Sequence, residues 1–195
     1  ETPELTISDT SSTDISCPGV NDGTITVTVN GGNPGYEYTL SPGNIVNTTG
    51  NFTGLSPGDY TVSITDANSC GPVTTGTITV NEPAPISISN VSSQNVTCSG
   101  AADGQISVTA TGGTAPLSYT LDPGAITNET GDFPGLDGGS YTVTVNDANG
   151  CPAAVTGAID ITDPDPISIS DQSKTDITCN GASDGTISVT ANGGT

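Results

Sequence analysis

The sequence predicts an all-β chain in which one small β-sandwich is repeated in tandem. One segment recurs at a fixed spacing, apolar side chains alternate with hydroxyl side chains along short stretches, and turns rich in glycine or proline separate these stretches. A fixed spacing is typical of an array of similar units. Alternation predicts strands with one buried face, and closely spaced turns favour a sandwich over a helical fold.

The repeat has an 81-residue period, which its cysteines mark. The segments that begin at Cys17, Cys98 and Cys179 resemble one another, and the interval between successive members is the same. Cys70 and Cys151 obey the same spacing. Because a domain needs at least about 50 residues, a unit of this length can fold around a core of its own.

Two proline-containing segments are predicted to connect the units. Pro83 and Pro85 occupy the first, and Pro164 and Pro166 occupy the second. Proline fixes φ and keeps the preceding residue extended, so we expect short, stiff connections and a rod of successive units cut from a longer array. The predicted units are two complete repeats and the N-terminal part of a third: 4–84, 85–165 and 166–195.

The strands are predicted from alternation along the first repeat. In 24–32, threonine alternates with Ile25, Val27 and Val29, so the apolar set should face the core. The stretch 60–66 shows the same pattern. In chain order, the predicted strands are 5–8, 24–32, 36–40, two weaker strands around 45–46 and Phe52, then 60–66 and 77–80.

The composition excludes several classes of function. The chain carries 21 acidic residues and one basic residue, Lys174, for a net charge of −20, and it has no histidine. Nucleic-acid phosphates and anionic membrane surfaces both need lysine and arginine, so neither is an expected partner. Without histidine, the usual general base is missing, and we expect no enzyme activity. No apolar run is long enough to cross a bilayer.

Two tyrosines are candidates for a known structural role. The segment 55–60, Leu-Ser-Pro-Gly-Asp-Tyr, resembles the corner before the sixth strand of immunoglobulin-like domains. In that corner a tyrosine hydroxyl bonds to backbone upstream. Tyr60 and Tyr141 are the candidates, and the alternative is that both are ordinary core residues.

The repeated pattern also resembles a known family. Its parts are C-x-G-x-x-D-G-x-I-x-V, then GG-x-x-P/A, then L-x-x-G-x-Y-T-V-x-V/I-x-D-A-N-x-C, and together they resemble the SprB repeat of Bacteroidota gliding adhesins. The resemblance implies an immunoglobulin-like fold related to PKD-type repeats, export by the type nine (type IX) secretion route and a bacterial cell-surface, extracellular location. The residues that carry it are Cys17, Asp22, Gly23, Ile25, Val27, Gly31, Gly32, Leu55, Gly58, Tyr60 and Asp66 to Cys70 in the first copy, and Cys98, Asp103, Gly104, Ile106, Val108, Gly112, Gly113, Leu136, Gly139, Tyr141 and Asp147 to Cys151 in the second.

The cysteines predict disulfides rather than zinc. Each full unit has two cysteines, with no C-x-x-C and no histidine, which indicates an oxidising compartment. The simplest pairing stays within a repeat, as Cys17–Cys70 and Cys98–Cys151, and leaves Cys179 unpaired. The alternative is an inter-repeat bond, Cys17–Cys151. It arises because the start of the second strand and the end of the sixth lie at opposite ends of a regular sandwich, too far apart to bond.

The acidic turns offer two interpretations. Carboxylate and amide oxygens from two loops suit Ca²⁺, and this is the only cofactor that the sequence suggests. The candidate ligands are Asp22 with Asp66 and Asn68, Asp103 with Asp147 and Asn149, and, at the junctions, Glu82 or Asp163. The alternative is that these side chains close turns by bonding to backbone amides.

These observations predict a non-catalytic structural role. The expected function is that of a stalk segment in a long secreted cell-surface adhesin or filament, used in adhesion or gliding motility. The alternatives are a calcium-stabilised extracellular filament or surface layer, and a carbohydrate-binding module. The expected partners are neighbouring repeats of the same chain and a surface polysaccharide or other substratum, or like chains in a filament.

Overall fold

The fold is all-β, as the sequence predicts. A computed structural model describes residues 3–69 and 71–194, and every regular element within these ranges is a β-strand. The described residues form no helix that could cross a membrane.

The first repeat contributes eight strands in its described part. Their bounds are β1 Thr6–Thr13, β2 Gly23–Asn30, β3 Glu37–Ser41, β4 Ile45–Asn47, β5 Asn51–Leu55, β6 Gly58–Thr65, β7 Val73–Thr74 and β8 Ile78–Val80.

The strand order then recurs along the chain. The second set is β9 Ser87–Gln94, β10 Gly104–Thr111, β11 Ser118–Asp122, β12 Ile126–Asn128, β13 Asp132–Leu136, β14 Gly139–Asn146, β15 Ala154–Val155 and β16 Ile159–Ile161. The last two strands are β17 Ser168–Thr175 and β18 Thr186–Asn192.

The chain divides into two compact units. The first consists of Glu1–Ile86, Gly112–Pro116 and Asn146–Pro152. The second consists of Ser87–Thr111, Leu117–Val145 and Ala153–Thr195. The repeat boundaries 4–84, 85–165 and 166–195 stay a prediction.

The first unit contains an immunoglobulin-like sandwich. One sheet has the order β1-β2-β5, and the other has the order β4-β3-β6-β7 with β8 also paired to β6. β7 and β8 bond to different stretches of β6, so together they act as one interrupted edge strand. Alternate residues of β2, β3 and β6 contribute to the core between the sheets: Ile25, Val27, Tyr38, Leu40, Val62 and Ile64.

The second unit repeats this arrangement. Its sheets have the orders β13-β10-β9 and β12-β11-β14-β15, with β16 paired to β14. Its fully buried side chains each lie 81 residues after a buried residue of the first unit: Ile106, Val108, Leu121, Phe133, Val143 and Val145. Full burial of such side chains contributes about 1.5–3 kcal/mol each, so the alternation seen in the sequence supplies most of the core. β17 and β18 pair with each other as a two-stranded sheet.

Candidate functional site

The first half of the candidate site is the opening turn, residues 16–22, which lies between β1 and β2 and carries Cys17. Asp22 accepts a hydrogen bond from the backbone N–H of Ser16 at 3.0 Å and a second, short one from the Ser16 hydroxyl. The backbone N–H of Val20 donates to the carbonyl of Cys17 at 3.2 Å. The hydrogen bond from the Ser16 side chain, and then that from its backbone, lower the pKa of Asp22. The ionised carboxylate therefore closes the turn that presents Cys17.

The second half is the closing turn, residues 147–151, which follows β14 and carries Cys151. Asp147 is buried and accepts hydrogen bonds from the backbone N–H groups of Thr114 and Cys151, both at 2.9 Å. These two bonds, with Thr114 the larger cause, lower the pKa of Asp147. The buried carboxylate fixes the backbone on either side of the loop and so fixes the position of Cys151.

The two turns meet in the first compact unit. Cys17 and Cys151 form a disulfide, with their Cα atoms 5.3 Å apart and a sequence separation of 134. Beside the bond, the Asn149 side-chain amide donates to the carbonyl of Ser16 at 2.9 Å and to the Thr114 hydroxyl at 3.2 Å. The bond therefore joins the opening turn of one 81-residue copy to the closing turn of the next.

The in-repeat pairing is wrong at both positions. Each sulfur forms one bond, so the Cys17–Cys151 disulfide rules out Cys17–Cys70 and Cys98–Cys151. Cys70 itself lies outside the described residues. The thiols of Cys98 and Cys179 are free and exposed. The predicted in-repeat scheme also left Cys179 unpaired.

The geometry of the sandwich gives the physical reason for this correction. The start of β2 lies beside the start of β6, because Val80 pairs with Gly58 and leaves no room for a side chain at Gly23. The far ends of the same strands also meet, where the Asn33 N–H donates to Asp66 at 3.0 Å. Cys17 precedes β2, whereas Cys70 follows β6 in sequence. An eight-residue strand spans about 26 Å, far beyond the roughly 7 Å limit for Cα atoms of a disulfide.

The structure separates the predicted calcium ligands in the same way. Asp22 lies in the opening turn, while Asp66 lies at the other end of the sandwich and accepts hydrogen bonds from the N–H groups of Asn33 and Asn68, both at 3.0 Å. Over residues 3–69 and 71–194, no three or more acidic or cysteine side chains are grouped to hold a metal. These carboxylates close turns, and calcium binding stays a prediction.

The remaining candidate ligands are also engaged in turns. Asp103 accepts hydrogen bonds from the backbone and hydroxyl of Thr97, and the first of these contacts measures 2.9 Å. Glu82 and Asp163, the junction candidates, accept hydrogen bonds from the N–H groups of Gly19 and Gly100, respectively. The acidic side chains thus accept hydrogen bonds from backbone donors in these turns.

The two candidate tyrosines bond to upstream backbone. Tyr60 donates its hydroxyl hydrogen to the carbonyl of Ser56 at 2.8 Å, and Tyr141 donates to that of Asp137 at 3.1 Å. Both rings lie in the strand that follows the corner, β6 in the first repeat and β14 in the second. This is the arrangement of the tyrosine corner in immunoglobulin-like domains.

Sequence reasoning missed the role of Asn149. It offered this residue as a candidate calcium ligand or as a turn-closing side chain, whereas the side chain bridges the opening turn and Thr114. The signal was present in the recurring D-A-N-x-C segment, in which the asparagine stands two residues before the cysteine. Its partner could not be identified, because the partner lies 133 residues away in sequence.

The arrangement acts as a covalent connector between the two turns. Closing a loop of 134 residues restricts the unfolded chain, which stabilises the folded state by about 5 kcal/mol in the chain-entropy treatment. The hydrogen-bonded carboxylates of Asp22 and Asp147 fix the backbone of the two turns beside the bond.

Comparison with known proteins agrees with the repeat pattern. The sequence model of the SprB repeat matches residues 10–45, 90–126 and 172–195, and the three matches contain Cys17, Cys98 and Cys179, respectively. No curated protein matches the chain.

One solved structure aligns with much of the chain. It is the C-terminal 282-residue fragment of intimin in complex with the intimin-binding domain of the translocated intimin receptor. The sequences are 15% identical, the alignment covers 87% of this chain and 67% of that one, and the TM-score is 0.38. The family assignment rests on the three repeat matches: the chain belongs to the SprB-repeat family.

Proposed function

We propose that this chain is a load-bearing stalk segment of a long secreted cell-surface protein that acts in adhesion or gliding motility. SprB repeats are a cell-surface type of repeat, and the chain carries three matches to them. The single observation that carries the proposal is the Cys17–Cys151 disulfide, because it ties successive copies of the repeat together.

The disulfide also supports an extracellular location. Disulfides persist in oxidising compartments and are rare in the cytosol. In this proposal the protein reaches the surface by the type nine secretion route, which the family resemblance implies. The segment has a mechanical role, and the partner it needs is the neighbouring repeat, while a surface polysaccharide or other substratum is bound elsewhere on the protein.

The disulfide limits how far the chain can be extended, because it encloses a long segment. When the two ends of the chain are pulled, a disulfide between Cys17 and Cys151 keeps the segment between them, a separation of 134 in sequence, out of the load path. A fully extended chain gains about 3.3–3.6 Å per residue, so the bond withholds about 450 Å of extension. A stalk with this bond stays short under forces that unfold its sandwiches.

Single-molecule force spectroscopy tests the proposal. The oxidised chain is pulled by its ends beside Cys17→Ser and, as the matched control, Cys98→Ser. We expect the Cys17→Ser chain to extend about 450 Å further than the oxidised wild type, and Cys98→Ser to behave as wild type. Equal final lengths for all three chains would show that the disulfide does not limit extension, and this result would overturn the proposal.

A cellular experiment separates a stalk from a ligand-binding segment. Deletion of one repeat from the parent protein should leave attachment to the substratum intact, because a stalk only sets distance. Attachment that falls in proportion to the repeats removed would show that the repeats themselves bind.

A further inference from the structure

The opening turn is built in the same way in every copy. In the second copy, Asp103 accepts hydrogen bonds from the N–H of Thr97 at 2.9 Å and from its hydroxyl at 2.5 Å. The N–H of Ala101 donates to the carbonyl of Cys98 at 2.9 Å. The equivalent contacts in the first copy are those that hold Cys17. Cys98 is therefore presented in the same hydrogen-bonded frame as a cysteine that forms a disulfide.

The third copy repeats this frame. Asp184 accepts hydrogen bonds from the N–H of Thr178 at 3.1 Å and from its hydroxyl at 2.5 Å. The N–H of Ala182 donates to the carbonyl of Cys179 at 3.0 Å. Hydrogen bonds from Thr178 lower the pKa of Asp184, as those from Ser16 lower that of Asp22. The third turn also presents an exposed free thiol.

The opening turns differ in what covers them. Ser16 and Cys17 are half-buried because Asn149 and Cys151 contact them. Thr97 and Cys98 are exposed, although Val96, directly before them, is as buried as its counterpart Ile15. The second turn therefore has the folded frame of the first, but none of the described residues forms a closing turn against it.

The closing half of the connector also occurs in both complete copies. Asp66 accepts from the N–H of Asn33 at 3.0 Å, as Asp147 does from that of Thr114 at 2.9 Å. Each complete copy thus has an opening turn that presents a cysteine and, after its sixth strand, an aspartate that accepts a backbone hydrogen bond at the equivalent position. The bonded pair Cys17 and Cys151 shows which frames fit together: the opening frame of one copy and the closing frame of the next.

We propose that Cys98 and Cys179 are cross-linking sites, each specific for the closing cysteine of the copy that follows its own. The bond would then recur once per repeat, always over the sequence separation of the Cys17–Cys151 bond. Every repeat within the array would be cross-linked to the repeat before it and to the repeat after it. These bonds would form whether or not the array acts in adhesion.

The oxidation requires a disulfide co-reactant such as glutathione disulfide. The thiolate of Cys98 attacks one sulfur of this disulfide, which forms a mixed disulfide and releases one small-molecule thiol. The thiolate of the closing cysteine then attacks the Cys98 sulfur and releases the second small-molecule thiol. Two cysteine thiols are oxidised to one protein disulfide, and one glutathione disulfide is reduced to two thiols.

The test extends the chain by one closing turn. A copy of residues 115–165 is joined after Thr195, which is in register because Thr195 corresponds to Thr114 in the 81-residue spacing. The protein is oxidised in a glutathione redox buffer, its free thiols are alkylated, and its disulfide-linked peptides are identified by mass spectrometry without reduction. The matched control carries serine in place of the added cysteine.

We expect a peptide that links Cys98 to the added cysteine, at the same sequence separation as in the Cys17–Cys151 bond, and loss of nearly all alkylation at Cys98. In the serine control, Cys98 should be fully alkylated. The Cys17–Cys151 peptide in the same sample reports that the chain has folded and oxidised. Its presence together with a bond from the added cysteine to Cys179, or with full alkylation of Cys98, would overturn the proposal.

Discussion

The opening turns at Cys17 and Cys98 have the same hydrogen bonds and different surroundings. Both are closed by an aspartate five residues after the cysteine, yet one cysteine is bonded and the other is a free, exposed thiol. The turn is therefore a local structure that its own sequence encodes. The covalent connection needs two turns that are far apart in sequence, and within residues 3–69 and 71–194 it is formed at Cys17.

The largest difference between the two turns should appear in stability. Cys17→Ser should lower the free energy of unfolding by about 5 kcal/mol, because the loop closed by the disulfide is lost. Cys98→Ser changes an exposed thiol and should alter it by no more than about 0.5 kcal/mol. Urea denaturation without reductant measures both, and equal losses for the two variants would contradict the comparison.

A smaller difference should separate Asn149 from its counterpart Asn68. Asn149→Ala removes the hydrogen bond to Ser16 and should cost about 1 kcal/mol. Among the described contacts, Asn68→Ala removes a long one, in which the Asn33 side-chain amide donates to Asn68 at 3.4 Å, and it should cost less. Thermal denaturation of the two variants ranks these losses, and a greater loss from Asn68→Ala would show that the bridge to the opening turn is unimportant.

Acid should weaken the closing turn. Hydrogen bonds hold the pKa of Asp147 below its ordinary value of 3.8, so its ionised form stabilises the folded state above that pH. The contribution is lost as the pH falls through the lower pKa of the folded state. The difference in melting temperature between wild type and Asp147→Asn should therefore be present at pH ~7 and shrink towards pH ~2. A difference that grows in acid would contradict the assignment.

Calcium should have the smallest effect. The carboxylates of the acidic turns already accept hydrogen bonds from backbone N–H groups. Asp22 and Asp66 also lie at opposite ends of the sandwich. Melting temperatures in millimolar calcium and in EDTA should agree within about 1 °C. A rise of several degrees in calcium would favour the calcium-stabilised filament over the disulfide-linked stalk.

The sequence predicts the strands well where one face is buried. The alternation of Ile25 and Val27 in β2, and of Val62 and Ile64 in β6, identifies core positions that the structure buries completely or nearly so. The edge of the second sheet was only partly predicted. β8 falls within the predicted strand 77–80, but Val73 and Thr74 of β7 pair with β6 without a periodic pattern of their own.

The site was less predictable than the fold, because its contacts are long-range. The types and spacing of the cysteines indicate disulfides, but spacing alone favours the nearer partner. The correct pair follows only once β2 and β6 are known to run in the same direction across the sandwich, which places Cys17 and the end of β6 apart. Similarly, Asp147 is recognisable as a turn residue, whereas its bond to Thr114 depends on how the strands are placed.

The most direct test of the connector is a disulfide map of the oxidised 195-residue chain. Free thiols are alkylated at low pH, the chain is digested without reduction, and the linked peptides are sequenced by mass spectrometry. The structure requires a peptide that joins Cys17 to Cys151, with Cys98 and Cys179 alkylated. A peptide that joins Cys17 to Cys70, or Cys98 to Cys151, would contradict the inter-repeat connection on which the proposed stalk depends.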